Sequence, residues 1–204
     1  MRSLLTLIWA ALHANGFWMA WNLTLALVPL LFAAVLFRDG RRPSAAWWVG
    51  LVTFVILLPN APYVLTDVVH MFDDLRAAPS LGRVVAILVL YALFAAAGLA
   101  SYVVSLQLFR RFLHRVAPSR VVLPVLLTVH GLCVVAMGLG RIVRLNSWDV
   151  VLAPHVVLES VLRVPHPSTV VLLSAMFVVV GASAYVMAAV GDKAIAQLRR
   201  IKPN

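Results

Sequence analysis

The chain has 204 residues, 63% hydrophobic and 12% charged, with 17 Lys and Arg against 7 Asp and Glu and a formal net charge of +10. Soluble domains carry about a quarter charged residues, so this composition excludes an ordinary soluble enzyme and points to an integral membrane protein. The basic residues lie between apolar runs rather than along one face, which argues against nucleic acid, and the lone Cys133 supports neither a disulfide framework nor a cysteine metal motif.

In chain order, Arg2 and the apolar LLTLIWAAL resemble a secretory leader, but no A-x-A cleavage site follows. Residues 3–13 are therefore expected to be retained as a short interfacial or partly inserted helix. A spanning helix needs about 20 apolar residues to cross ~30 Å of hydrocarbon. Runs at 17–37, 84–109, 121–140 and 169–190 meet this. The 14 residues of AAWWVGLVTFVILL, 45–58, cover only about 21 Å. The following NAPYVLTDVVHM is expected to complete that crossing, giving a second span at 45–71 broken near Pro59 and Pro62. The predicted fold is all-α: a polytopic membrane helix bundle forming a single integral membrane domain over 1–204. It has five transmembrane helices, six if residues 3–13 also span, and a basic tail at 191–204.

Orientation follows from Lys and Arg. One side receives eleven of them: Arg38, Arg41, Arg42, Arg110, Arg111, Arg115, Arg120, Lys193, Arg199, Arg200 and Lys202. The other receives five: Arg76, Arg83, Arg141, Arg144 and Arg163. The first side, with the C-terminus, is expected in the cytoplasm. Three polar clusters then share the outer side: Asn22 of WMAWN, the segment LPNAPYVLTDVVH at 58–70, and GRIVRLNSWD at 140–149. APHVVLESVLRV, 153–164, suits an outer interfacial helix before the last span.

In the second cluster Asn60 can cap a new helix, with Pro62 in its first turn. Tyr63, Asp67 and His70 then fall at i, i+4 and i+7, one helical stripe flanked by Thr66. An ionisable residue at membrane depth costs at least ~2.5 kcal/mol on insertion scales, so a functional role is the default reading. The competing reading is structural, with Asp67 and His70 paired to each other and to an arginine, and both stand equally at this point. A metal site is a weaker alternative. Asp149 or His155 could join Asp67 and His70, but no full ligand set is present.

In the third cluster Arg141 and Arg144 lie three apart, two planar guanidiniums suited to a phosphate or carboxylate. Asn146 is expected to end the helix in the left-handed conformation, Ser147 to start the next, and Trp148 to anchor at the interface. Here too a structural role, neutralising Asp67 and Asp149 or contacting lipid headgroups, has equal standing. His130, about 14 Å into the fourth span, reads as a neutral, hydrogen-bonded histidine. Tyr91 and Ser101 read as hydrogen bonds between helices, and Ala97-x-x-x-Ser101 as a place for close packing.

WNLTLALVP (21–29), LPNAPYVLTDVVH and GRIVRLNSWD together resemble the signatures of a bacterial membrane-protein family, domain of unknown function 1361. The resemblance covers most of the chain and picks out Trp21, Asn22, Asn60, Pro62, Tyr63, Thr66, Asp67, His70, Arg141, Arg144, Asn146, Ser147, Trp148 and Asp149. It implies a helical fold and a bacterial cytoplasmic (inner) membrane location, and brings no activity with it.

Three functions compete. The first is a site in the outer half of the membrane that binds, and can transform, an anionic amphiphile or lipid headgroup. Arg141 and Arg144 would hold the anion, and Asp67 and His70 would act as base and orienter. Asn22, Asn60, Tyr63, Thr66, Asn146, Ser147, Trp148 and Asp149 would supply the surrounding contacts. The second is a non-catalytic accessory protein whose polar cluster ties the bundle and docks a membrane partner. The third is a small proton-coupled transporter gated at the broken span. No cofactor or metal is expected. The partners are membrane lipids, an anionic lipid-like ligand or a membrane protein.

Overall fold

A computed structural model describes residues 4–38, 44–163 and 167–201, all helix, turn or short connection. Arg41, Arg42 and Lys202, used above for orientation, lie outside the described residues, as does Arg2. The helices are α1 (Leu4–Leu36), α2 (Ala45–Leu57), α3 (Asn60–Tyr63), α4 (Val68–Arg76), α5 (Leu81–Val116), α6 (Ser119–Ile142), α7 (Asp149–Leu152), α8 (Pro154–Arg163) and α9 (Pro167–Ile201), with a 3-10 turn at Val64–Asp67. Among the described residues, five stretches are long and apolar enough to cross a membrane: Gly16–Leu36, Ala45–Arg76, Leu81–Val116, Ser119–Ile142 and Pro167–Val186. The protein is an all-α polytopic helix bundle. Large apolar side chains such as Leu93, Leu123, Val171 and Val178 stand exposed along these stretches, as lipid-facing residues must.

The N-terminal segment differs from expectation. It is no separate short helix but the first turns of the 33-residue α1. Gly16 lowers helix propensity by only about 1 kcal/mol, which continuous flanking turns offset. Likewise α9 runs through Ile201, so the tail expected from 191 continues the last helix as far as the described residues extend.

The chain divides into two compact units, 1–108 and 109–204. In the first, α1 packs against α2 and α3. The Ser44 hydroxyl caps α2 by accepting from the Trp47 backbone N–H at 3.2 Å. The Trp47 indole donates to the Leu36 carbonyl at 3.0 Å, fastening the end of α1 to the start of α2. The Ser101 hydroxyl donates to the Ala26 carbonyl at 2.6 Å, joining α5 to α1. Helices also approach closely at Gly98, where a Cβ would collide with the Val64 side chain and come within 2.6 Å of the Ala61 carbonyl oxygen. This close packing lies at Gly98, within the Ala97-x-x-x-Ser101 segment where it is expected.

In the second unit α6 packs against α9. His130, 7% exposed, lies with Nε2 3.0 Å from the Phe177 carbonyl oxygen. A carbonyl only accepts, so that nitrogen carries a proton and donates. The imidazole also meets the Phe177 ring at 4.4 Å between centroids, the two planes tilted by 58°.

Candidate functional site

The second span turns irregular where its length deficit requires. After Leu57 the backbone stays right-handed through Leu58 and Pro59, then passes through α3 and the 3-10 turn into α4. The ladder loosens around the prolines, with Ala61 N–H bonding three residues back to Leu58 and Tyr63 N–H four back to Pro59. Asn60 is the first residue of α3 rather than its cap. Pro59 occupies the cap and supplies no side-chain bond.

The 3-10 turn splits the expected stripe. Four residues at α pitch leave Tyr63 and Asp67 about 40° apart around the axis, whereas 3-10 pitch leaves them about 120° apart. Asp67 accordingly points into the bundle, 2% exposed, while Tyr63 is half-buried and His70 exposed. The Thr66 hydroxyl folds back to donate to the Tyr63 carbonyl at 2.7 Å.

Inside the unit, the Asn22 amide donates to the Asp67 carboxylate at 3.1 Å across 45 residues of chain. This joins WMAWN to LPNAPYVLTDVVH. One turn earlier on α1, Trp18 meets His70 at 5.2 Å between ring centroids, Tyr91 at 6.2 Å and Phe94 edge-on at 5.8 Å. The Tyr91 hydroxyl donates to Asp74 at 3.0 Å. These groups sit on a core that includes Met19, Val64, Ile87 and Phe94. Trp18 and Asp74 were not selected from the sequence. Trp18 lies inside WMAWN, so its signal was an interfacial aromatic one turn from Asn22. Asp74 had only its place four residues beyond His70.

The second group is built on the end of α6. Arg141 lies half-buried in its last turn, where a cation suits the helix dipole. Arg144 follows at φ 63°, the left-handed region, and is exposed. The left-handed residue that follows the end of the helix is therefore Arg144 and not Asn146, and Leu145 N–H turns back towards the Leu139 carbonyl at 3.5 Å. Left-handed backbone costs a non-glycine residue roughly 1–2 kcal/mol, which a bonded turn must offset. That bond is the Asn146 backbone N–H donating to the Asp149 carboxylate at 2.6 Å. Trp148, 47% exposed, occupies the cap position of the short α7 in place of the expected Ser147 and supplies no side-chain bond there.

The carboxylate that closes the turn is thus engaged by backbone. Among the described residues, no carboxylate lies within ion-pair distance of Arg141 or Arg144, in contrast to Arg76 with Asp73 at 3.2 Å and Arg163 with Glu159 at 3.5 Å. Among the described residues, no three His, Cys, Asp or Glu side chains converge as a metal site would require.

The family model described as "Protein of unknown function (DUF1361)" matches residues 21–182. The chain belongs to that family. No curated protein and no solved structure matches it.

Proposed function

We propose that this protein binds an anionic amphiphile at the outer face of a bacterial cytoplasmic membrane, with Arg141 and Arg144 holding the acidic head group. The observation that carries this reading is the Arg144 turn. A cation is kept in a left-handed conformation, three residues after a second cation, with no carboxylate partner for either among the described residues. Strained backbone persists where surrounding structure imposes it, and such positions concentrate at ligand sites. Two guanidinium forks are the donors a phosphate or carboxylate takes best. The outer placement rests on the excess of Lys and Arg in the opposite loops.

The test is lipid retention by native mass spectrometry of protein purified from mixed phosphatidic acid and phosphatidylcholine. Arg141→Gln/Arg144→Gln should lower phosphatidic acid retention at least tenfold, with phosphatidylcholine unchanged. Equal retention by wild type and variant would sink the proposal.

A structural reading is favoured for one part of the chain. Asp67 is buried and hydrogen-bonded to Asn22, which suits a tie between α1 and the second span better than a base open to substrate. His70 is exposed against Trp18 and remains the group of that motif able to meet a ligand. Complementation of a deletion phenotype separates the two roles. His70→Ala should abolish function in folded protein if it is catalytic, and full complementation removes it from any chemistry.

A further inference from the structure

A cavity of about 270 Å³ lies within the second unit among α6, α8 and α9. Its apolar wall comes from Val135, Leu139 and Ile142 of α6 and Leu173 of α9. Gly138 makes this wall possible, because a Cβ there would collide with the Leu173 side chain. Its polar groups are few: Ser160 and Arg163 of α8, and Thr169 at the start of α9. Exposure grades across the lining. Leu139 is 7% exposed, whereas the Arg163 side chain is 82% exposed. Val143, also in the lining, leads straight into Arg144.

The lining carries three polar side chains, with Arg163 at its exposed end, while its buried end around Leu139 is apolar and offers few of the two to four polar partners a buried water needs, so apolar matter suits that end better. At about 270 Å³ the space lies just under the ~300 Å³ where small-molecule pockets begin, a size for part of one acyl tail rather than a whole lipid. The lining has a cation and two hydroxyls and no carboxylate. Glu159 holds Arg163 only as an exposed pair at 3.5 Å, which an acidic head group can displace.

We propose that this cavity is the acyl-chain subsite for an acidic amphiphile, with Arg163, Ser160 and Thr169 flanking the entering chain beneath its head group. The proposal rests on the head-group reading of Arg141 and Arg144, and extends it by naming where the tail goes and a third cation that faces the acid.

The experiment uses full-length protein in phosphatidylcholine nanodiscs and, as probe, lysophosphatidic acid with a diazirine at the chain end. After photolysis, label should concentrate on residues 135–143 and 169–173. Thr169→Phe and Ser160→Phe, which fill the cavity from two walls, should each cut that labelling at least fivefold. Arg163→Gln should weaken the acidic probe about tenfold and leave a monoacylglycerol probe unchanged. Label spread evenly over the lipid-facing residues of α5 and α9, indifferent to both Phe variants, would overturn the proposal. Loss of binding in Arg141→Gln/Arg144→Gln with both Phe variants unaffected keeps the head-group reading and overturns the cavity. Loss in the Phe variants alone upholds the cavity and overturns the head-group reading.

Discussion

LPNAPYVLTDVVH in the first unit and GRIVRLNSWD in the second both interrupt an apolar helix with charge, but they dispose of it in opposite ways. The first turns Asp67 inward, 2% exposed, and gives it the Asn22 amide. The second keeps its own carboxylate, Asp149, on the Asn146 backbone and leaves Arg141 and Arg144 without a carboxylate among the described residues. Charge that is buried and bonded ties helices together. Charge held out on a strained turn remains available to something else. Mutations should therefore separate the motifs, lowering stability in the first and ligand binding in the second.

The strongest test of that division is Gly98→Ala. The added methyl meets the Val64 side chain and the Ala61 carbonyl oxygen, and the latter belongs to backbone that cannot rotate away. Overpacking of this kind costs about 1–3 kcal/mol. The midpoint of thermal unfolding in detergent should drop by several degrees, and the α3 segment carrying the first motif should lose amide-exchange protection. An unchanged midpoint would mean that α5 does not seat against this segment so closely.

Next in size is Asp67→Ala, which leaves the Asn22 amide without this acceptor. Hydrogen bonds between membrane helices average ~0.6 kcal/mol and reach about 1.7, and an orphaned buried donor adds to the loss. A destabilisation of about 1–2 kcal/mol is expected in reversible unfolding, with Asn22→Leu nearly as large. The two should be far from additive, since they remove the same bond. Additive losses would show that Asp67 and Asn22 act separately. Arg141→Gln, by contrast, should leave the unfolding midpoint nearly unchanged.

The spans and the irregular second helix were legible because both follow from apolar length against bilayer thickness. Residues 45–58 are simply too short, and the two prolines mark where the remainder bends. The stripe Tyr63–Asp67–His70 was misread because a change from α to 3-10 pitch leaves no mark in residue type. Gly98 was invisible for another reason. In an alanine-rich helix many small residues compete, and only the approach of the Ala61 carbonyl distinguishes one. Asn146 misled because asparagine tolerates left-handed backbone better than most residues other than glycine, whereas here its N–H is bound by Asp149 and the strain falls on Arg144.

That displaced strain allows the sharpest separation of stability from binding. At φ 63° an arginine bears the left-handed penalty, and glycine does not. Glycine also loses more entropy on folding, so Arg144→Gly should gain only about 0.5–1 kcal/mol. The same change removes one of the two guanidiniums, so phosphatidic acid retention should fall although the protein is more stable. A paired, purely structural arginine would give the opposite result, with stability lost and lipid retention unaffected. An arginine kept in a costly conformation for its ligand gives the stability–function trade-off instead. Melting and lipid retention measured on one preparation of Arg144→Gly therefore decide whether the second motif differs in kind from the first.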